Sequence, residues 1–413
     1  MALGPQRPQR RDRGHHDHAA NGDGTDFSDG PCPVHALALH EILQRRPSGV
    51  DVTPPAWPSQ LPKLYRTLDE HQCDARLRCP KSPSTGLRVP TLTERRSRIE
   101  MPSYDERVTF DASAEPHSAV FFNPQRDFWW NPDYLRLLAS RLGLGDVRSV
   151  LDVGAGVGHW GMALLSVLAA ETRIVGVERD PRWVERARER AKELGVADRC
   201  RYAAGVAESL EFDDETFDLV TCQTLLIHVA DVPGVLNEMC RVLRPGGLLL
   251  VAEPNNLASM LVADSTTGGQ PTDELAERVA FALHCERGKA ALDEGDNSVG
   301  DLLPGYFAQA GLTGIQTFLN DKAFALVPPY ASPEQQALRT AMLEDAASDR
   351  WVGWSASAAK RYYLAGGGPE DEFEPRWQRR LSEAREVARQ LTANHLHTAG
   401  GGIQYVVSGR RSI

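Results

Sequence analysis

The sequence lacks the features that mark several large classes of protein. No stretch approaches the roughly 18 consecutive apolar residues that a membrane-spanning helix needs. The basic N-terminus has no apolar h-region, so we do not expect a secretory signal peptide there. Lysine and arginine are not clustered outside the tails and a few helix faces, and the net charge is −10, which argues against nucleic acid or a membrane surface as a partner.

The seven cysteines follow neither a disulfide framework nor a zinc motif. Their number is odd, their spacing is scattered, and Cys222 and Cys240 stand in apolar runs, which favours free thiols in a reducing cytoplasm. A metal site near the N-terminus is an alternative, but its spacing is not C-x2-C, so we expect no metal centre. Its ligands would be Cys32, His35, His71, Cys73 and Cys79.

The chain of 413 residues is 41% apolar and 25% charged, enough for a packed core with extensions. Composition changes divide it into successive segments. We predict a disordered tail (1–30), an N-terminal extension (31–103), an α/β core (104–330), a helical insertion (331–397) and a last strand of the core (398–413). Within the core, an aromatic segment (104–145) precedes the first strand and a second helical insertion covers 257–300.

From residue 147 onwards, short apolar runs alternate with helical patterns. "VRSVLDVG", "TRIVGVE" and "LLLVAEPNN" are typical of buried strands, and "DPRWVERARERAKELGV" predicts a helix capped by Asp180. This alternation implies a parallel sheet covered by helices on both faces. "GIQTFLNDKAFALVP" (314–328) and "GIQYVVSGRR" near the C-terminus predict two further strands.

The stretch "SVLDVGAGVGHW" places three glycines at every second position directly after a buried strand. Glycine lets the backbone approach a ligand closely, and ligands of parallel sheets sit outside the carboxyl ends of the strands. A dinucleotide site would need G-x-G-x-x-G, but His159 occupies the last position. Asp152 would repel a pyrophosphate and suits a ligand with an ammonium group, whereas a tight turn without a ligand is the structural alternative.

"VLDVGAGVG", "VGVERDP", "GVAESLEFDDETFDLV", "LLIHV" and "RVLRPGGLLLVAEP" follow one another in the chain. Together they resemble the class I S-adenosylmethionine (SAM)-dependent methyltransferases over residues 115–330 plus the final strand. The resemblance implies a Rossmann-like, doubly wound sheet of seven strands, mostly parallel with an antiparallel edge. It also implies SAM as the cofactor, methyl transfer by in-line displacement, and a role for 104–145 as a lid over the cofactor.

The same resemblance implies the cofactor-binding residues. Asp152 and the backbone of Gly154 and Gly156 would hold the amino-acid end of SAM, and Gly158 would allow close packing. Glu178 would accept the ribose hydroxyls, and Arg179 would flank the adenine or ribose. Gln223 and Thr224 would line the cleft near the methionine part. Val206 stands where many relatives carry an acidic residue, so adenine recognition would fall to the backbone near Ala207, with Glu208 nearby.

Catalytic and acceptor residues are predicted at the ends of the fourth and fifth strands. His228 is the candidate base because an unperturbed imidazole titrates near pH ~6.5, although it could instead shape its loop. Glu253, Asn255 and Asn256 face the same crevice or cap turns. In the lid, Arg126 could reach the SAM carboxylate, and the aromatic residues Phe128, Trp129, Trp130 and Tyr134 could stack on a ligand or pack in the core.

The favoured function is methylation of a small-molecule acceptor, because the net charge is acidic and two insertions could cap the site. A protein or peptide methyltransferase that uses the N-terminal extension as a partner-binding arm is the first alternative. A non-catalytic SAM-binding protein is the second, and a dinucleotide oxidoreductase is disfavoured by Asp152 and His159. The acceptor atom and the oligomeric state do not follow from the sequence.

Overall fold

A computed structural model of the chain describes residues 122–413. The predictions for the tail, the N-terminal extension, the first part of the lid and the alternative metal site lie outside the described residues. Among the described residues, no helix is long and apolar enough to cross a membrane. Cys200, Cys222, Cys240 and Cys285 are free thiols.

The described chain forms one sheet of seven strands in the order β3-β2-β1-β4-β5-β7-β6. The strands are β1 (Ser149–Val153), β2 (Arg173–Glu178), β3 (Cys200–Ala204), β4 (Phe217–Gln223), β5 (Leu243–Asn255), β6 (Thr313–Leu319) and β7 (Ile403–Arg410). Strands β1 to β5 pair in parallel, and β7 runs antiparallel to both β5 and β6. The mostly parallel sheet with an antiparallel edge is therefore confirmed.

One predicted strand is shorter than expected. The pattern predicts a strand over 314–328, but β6 ends at Leu319. Asn320 ends it because its side-chain oxygen accepts a hydrogen bond from Lys322 N at 3.2 Å, which turns the backbone away from the sheet.

Ten α-helices accompany the sheet in the described part of the chain. They are α1 (Pro132–Leu142), α2 (His159–Leu164), α3 (Pro181–Glu193), α4 (Val232–Val242), α5 (Asn256–Ser259), α6 (Thr272–Ala291), α7 (Leu303–Gln309), α8 (Pro333–Ala347), α9 (Ala356–Ala365) and α10 (Glu370–Thr392). Asp180 caps α3, as predicted, by accepting from Arg182 N at 2.9 Å.

Helices cover both faces of the sheet. Strand β1 is buried along its whole length, which explains its continuous apolar run. One apolar core joins the sheet to α1, α2 and α3, and a second joins the opposite face to α4 and α7. The parallel strands therefore end at a common edge between two packed layers.

A third apolar cluster lies outside the sheet and joins α6, α9 and α10. Its rings include Phe281 on α6, Trp351 before α9, Tyr363 on α9 and Phe373 on α10. Helices α6 and α9 approach backbone to backbone at Gly288, where an added Cβ would lie 1.7 Å from Tyr362 O. This close approach holds the two helices together beside the carboxyl edge of the sheet.

Candidate active site

A cavity of about 810 Å³ opens at the carboxyl ends of β1, β2, β4 and β5. This is where ligands of open parallel sheets bind. Many of the residues predicted from the sequence line it together: Arg126, Trp129, Asp152, Gly154, Glu178, Arg179, Ala207, Gln223 and His228. Thr224, Glu208 and Asn256 also line it.

The glycine-rich turn has the backbone that the sequence predicts. Gly154, Gly156 and Gly158 all take positive φ angles, of 67°, 54° and 81°. An added Cβ on Gly156 would lie 2.7 Å from the Phe122 ring, and one on Gly158 would lie 2.5 Å from the Tyr202 hydroxyl. Of the three glycines, Gly154 lines the cavity. Gly156 and Gly158 instead allow the turn to pack closely against the Phe122 ring and the Tyr202 hydroxyl.

Asp152 lies at the end of β1 with only 1% of its surface exposed. Its Oδ2 accepts a hydrogen bond from Gly161 N at 3.0 Å. Burial raises the pKa of this carboxyl to about 7, and the nearby Arg126 opposes that rise. The other oxygen, Oδ1, has no hydrogen-bond partner among residues 122–413. A cation from a ligand would satisfy that oxygen and stabilise the charged form.

Glu178 is held rigidly at the end of β2. Its Oε2 accepts from Gly156 N at 2.9 Å and its Oε1 accepts from Asp180 N at 3.1 Å. Burial raises the pKa of this carboxyl, and the backbone N–H groups partly offset that rise. Each carboxylate oxygen has a further lone pair, so Glu178 can still accept hydrogen bonds from ligand hydroxyls.

Arg126 reaches into the same end of the cavity. Its guanidinium lies 4.6 Å from the centre of the Trp129 ring and donates to the Thr224 hydroxyl. Burial lowers its pKa to about 10, while the carboxylates of Glu253 and Asp152 raise it. A guanidinium carries five N–H donors, so this cation can also bind a ligand anion.

Several buried polar atoms on the cavity wall lack hydrogen-bond partners within the described part of the chain. Besides Asp152 Oδ1, they include Gln223 Nε2, Trp129 Nε1 and Gln404 Nε2. Leaving a buried donor unsatisfied costs about 1–3 kcal/mol, so such atoms indicate a polar ligand. The cavity therefore presents donors as well as an acceptor to whatever fills it.

Some residues that the sequence suggests as ligand contacts lie away from the cavity. Trp130 and Tyr134 are core residues, and the Trp130 ring packs 4.5 Å from the ring of Trp160. Asn255 caps α5 by accepting from Ala258 N at 2.8 Å, so the turn-capping alternative describes it. None of these three residues lines the cavity.

Glu253, the second candidate catalytic residue, lies behind the cavity wall and is 0% exposed. Its Oε1 accepts from Leu225 N at 2.8 Å and from Leu226 N at 2.9 Å. Burial raises its pKa to about 7, and those backbone N–H groups oppose the rise. Glu253 therefore fixes the turn after β4 and does not reach the cavity.

His228, at the end of that turn, does line the cavity. Its backbone N–H donates to Leu225 O at 2.9 Å, closing a short 3-10 helix over Leu226–His228. The turn that Glu253 braces therefore carries His228 to the opening. Its role as a base stays a prediction.

The far wall of the cavity consists of residues that sequence reasoning missed. Helix α6 contributes Ala282, Glu286 and Lys289, and the segment around α9 contributes Trp351, Trp354 and Tyr362. The signal in the sequence is that Ala282, Glu286 and Lys289 are spaced i, i+4 and i+7, which places two charged residues on one face of α6 with an apolar one.

Lys289 links this wall to the turn that carries His228. It is 3% exposed, and its Nζ donates to Ile227 O and to Asn297 Oδ1, each at 2.6 Å. Burial lowers its pKa to about 8, while Glu286 and other carboxylates raise it. The ammonium therefore connects α6 to the turn that carries His228 and to the segment that follows the helix.

Residues 145–293 match a family model described as a methyltransferase domain. The uncharacterized methyltransferase YcgJ of Bacillus subtilis is 38% identical over 104 residues, which is 25% of this chain and 40% of that protein. Erythromycin 3''-O-methyltransferase of Saccharopolyspora erythraea is 29% identical over 205 residues, 44% of this chain and 66% of that protein.

The sterol 24-C-methyltransferase erg6 of Aspergillus fumigatus is 34% identical over 116 residues, 28% of this chain and 30% of that protein. The matches thus span between 30% and 66% of the length of these three relatives. The crystal structure of Bacillus YcgJ superposes on 68% of this chain and 100% of its own, at 22% identity and a TM-score of 0.38.

Proposed function

The methyltransferase domain at residues 145–293 belongs to the class I SAM-dependent methyltransferase superfamily, and from this premise we propose that the protein methylates a small-molecule acceptor. The observation that carries the proposal is the cavity of about 810 Å³, in which a strand-end wall with unpartnered buried polar atoms faces a separate helical wall. Small-molecule sites occupy about 300–1,000 Å³, so a cofactor and a compact acceptor suit this volume.

The cofactor is SAM, and the polar groups at the strand ends suit its parts. We assign the buried Asp152 carboxylate to the ammonium of its amino-acid end and the Arg126 guanidinium to its carboxylate. Glu178 would accept the ribose hydroxyls, and Gln223 Nε2 would find a partner on the ligand. When bound, the cofactor supplies an electrophilic methyl group on a positively charged sulfur.

The work left to the protein is to align the acceptor, exclude water and remove a proton where the acceptor carries one. We propose that His228 receives that proton, because it lies on the cavity wall in a turn braced by Glu253. We also place the protein in the cytoplasm, where its free cysteines would stay reduced.

Two relatives support a small-molecule acceptor. The names of these two methyltransferases give erythromycin and a sterol as the molecules on which those proteins act. The acidic net charge of this chain also disfavours a nucleic acid acceptor.

The test supplies methyl-labelled SAM and a cell extract separated into a dialysable fraction and a retained macromolecular fraction. After chromatography removes unreacted SAM, we expect a labelled product in the dialysable fraction, and none when the Asp152→Ala variant replaces the wild type. Label confined to the macromolecular fraction would contradict a small-molecule acceptor and favour a protein or peptide substrate.

A further inference from the structure

The far wall of the cavity has a chemistry of its own. Glu286 on α6 and the aromatic residues Trp351, Trp354 and Tyr362 all line the same cavity as the predicted cofactor residues. These residues lie on helices and a loop outside the sheet, so they do not belong to the glycine-rich site.

Glu286 is a buried carboxylate with a vacant acceptor. It is 8% exposed, and its Oε2 accepts a hydrogen bond from the Ser298 hydroxyl at 2.7 Å. No hydrogen bond from within residues 122–413 reaches its Oε1. Glu286 lines the cavity, so this oxygen can accept a hydrogen bond from an N–H or O–H group of a ligand.

The nearby cations are already engaged. Lys289 directs its ammonium to two neutral oxygens, Ile227 O and Asn297 Oδ1, and makes no ion pair with Glu286 among the described residues. Arg361 pairs with Glu294, which also accepts from the Tyr362 hydroxyl at 2.6 Å. Asp293 adds a further carboxylate to the lining, so the wall keeps a negative balance.

The aromatic residues contact one another along this wall, and the Tyr362 hydroxyl joins them to Glu294. The Trp351 and Trp354 rings meet edge to face with centroids 6.1 Å apart, and Trp354 and Tyr362 do so at 5.7 Å. Aromatic faces pack against planar apolar groups and attract cations. Carboxylates beside several aromatic rings are the combination that recognises an organic ammonium.

We propose that this wall is the acceptor subsite and that it recognises a small molecule with a planar apolar body and a protonated amine, held by Glu286. This inference rests on the proposed function, since it takes the glycine-rich end of the cavity as the cofactor site. Trp351 and Trp354 pack against the planar body, and Lys289 positions Ile227 at the junction of the two sites.

The pKa of Glu286 would change when an ammonium binds. Burial raises the pKa of Glu286 to about 7, and Asp296 adds to the rise. An ammonium bound at Oε1 would stabilise the ionised carboxylate and lower that pKa. An anionic acceptor would meet the three carboxylates Glu286, Asp293 and Glu294, which outnumber the single ammonium of Lys289 on this wall.

The test uses the full chain saturated with S-adenosylhomocysteine and three probes of similar shape. Tyramine carries an ammonium, tyrosol replaces it with a hydroxyl, and 4-hydroxyphenylacetate replaces it with a carboxylate. Calorimetric titration should give the tightest binding for tyramine, by about tenfold or more over tyrosol, as a charge-assisted hydrogen bond in a buried site implies. 4-Hydroxyphenylacetate should bind most weakly.

The Glu286→Gln variant should lose the preference for tyramine while keeping its affinity for S-adenosylhomocysteine. Glu274→Gln, which removes a carboxylate from the exposed first turn of the same helix, should leave both affinities unchanged. If Glu286→Gln does not fold, the ranking of the three probes on the wild type still decides the matter.

Equal or stronger binding of tyrosol or 4-hydroxyphenylacetate would overturn the inference, and so would the absence of tyramine binding. An unchanged preference in a folded Glu286→Gln protein would also overturn it. Failure to bind S-adenosylhomocysteine would instead count against the proposed function, so the two failures are distinguishable.

Discussion

The two walls of the cavity are built in different ways. The strand-end wall takes its shape from a turn and two strand termini, in which backbone N–H groups fix Asp152 and Glu178. The helical wall takes its shape from two helices in backbone contact at Gly288, and side chains make its polar contacts. A cofactor common to many enzymes can thus be held by a local motif, while acceptor recognition depends on distant segments meeting.

The largest expected effect comes from a substitution that loosens the helical wall and leaves the strand-end wall unchanged. A Gly288→Ala substitution would place a methyl group 1.7 Å from Tyr362 O, so α6 and α9 must move apart. We expect the free energy of unfolding to fall by about 2–4 kcal/mol, as for other overpacked or disrupted interior sites. Chemical denaturation measures the change.

The matched control is Gly269→Ala, because an added Cβ there meets nothing within 4 Å. It should leave the free energy of unfolding nearly unchanged. Binding of S-adenosylhomocysteine to folded Gly288→Ala protein should persist, since the strand-end wall does not depend on this contact. Equal stability of the two variants would contradict the close approach of the helices.

A second substitution acts on the strand-end wall. Burial raises the folded-state pKa of Asp152 to about 7, above its ordinary value of 3.8, so ionising it disfavours the folded state. That penalty is absent below the unfolded-state pKa, grows as pH rises, and is complete above about pH 7. Asp152→Asn should therefore stabilise the ligand-free protein at pH 8 by roughly 1 kcal/mol or more, and by less at pH 5.

Thermal unfolding at both pH values checks this prediction. An Asn side chain can still accept the hydrogen bond from Gly161 N, so the local structure is preserved. The same variant should bind S-adenosylhomocysteine more weakly than the wild type, because the ammonium loses its carboxylate. If the variant were destabilised equally at both pH values, the raised pKa of the Asp152 carboxyl would be contradicted.

The smallest effect concerns the connection between the walls. Lys289→Met removes the donor to Ile227 O and Asn297 Oδ1 and leaves both oxygens without it. Loss of such buried hydrogen bonds costs about 1–3 kcal/mol, partly offset here by removing a buried charge, so we expect about 1 kcal/mol of destabilisation. Lys360→Met, at an exposed ion pair with Glu370, is the control and should change the free energy of unfolding by less.

The difference between the two walls also explains how much of the structure can be predicted from the sequence. The alternation of strands and helices, the glycine-rich turn and the Asp180 cap depend on neighbouring residues, and the sheet matches what they indicate. The shorter β6 depends on a single Asn320 turn within an otherwise apolar pattern. The sequence pattern cannot show which aromatic residues of the lid line the cavity and which pack in the core. Trp129 lines the cavity, whereas its neighbour Trp130 packs in the core.

The helical wall was missed because it has no local motif. Glu286 and Trp351 lie far apart in the chain, and only the packing of α6 against α9 brings them to one surface. Glu253 shows the converse limit, because a carboxylate at a strand end looks like a catalytic group until its backbone partners are known. Strand ends predict where a site lies, whereas burial and hydrogen bonds decide which side chains reach it.

The most direct measurement is a calorimetric titration of the protein with S-adenosylhomocysteine and, separately, with NAD. We expect micromolar binding of S-adenosylhomocysteine, weakened by about tenfold or more in Asp152→Ala and in Glu178→Ala and unchanged in Glu286→Gln, and no binding of NAD. Binding of NAD, or wild-type affinity for S-adenosylhomocysteine in both Asp152→Ala and Glu178→Ala, would contradict the assignment of the strand-end wall to SAM.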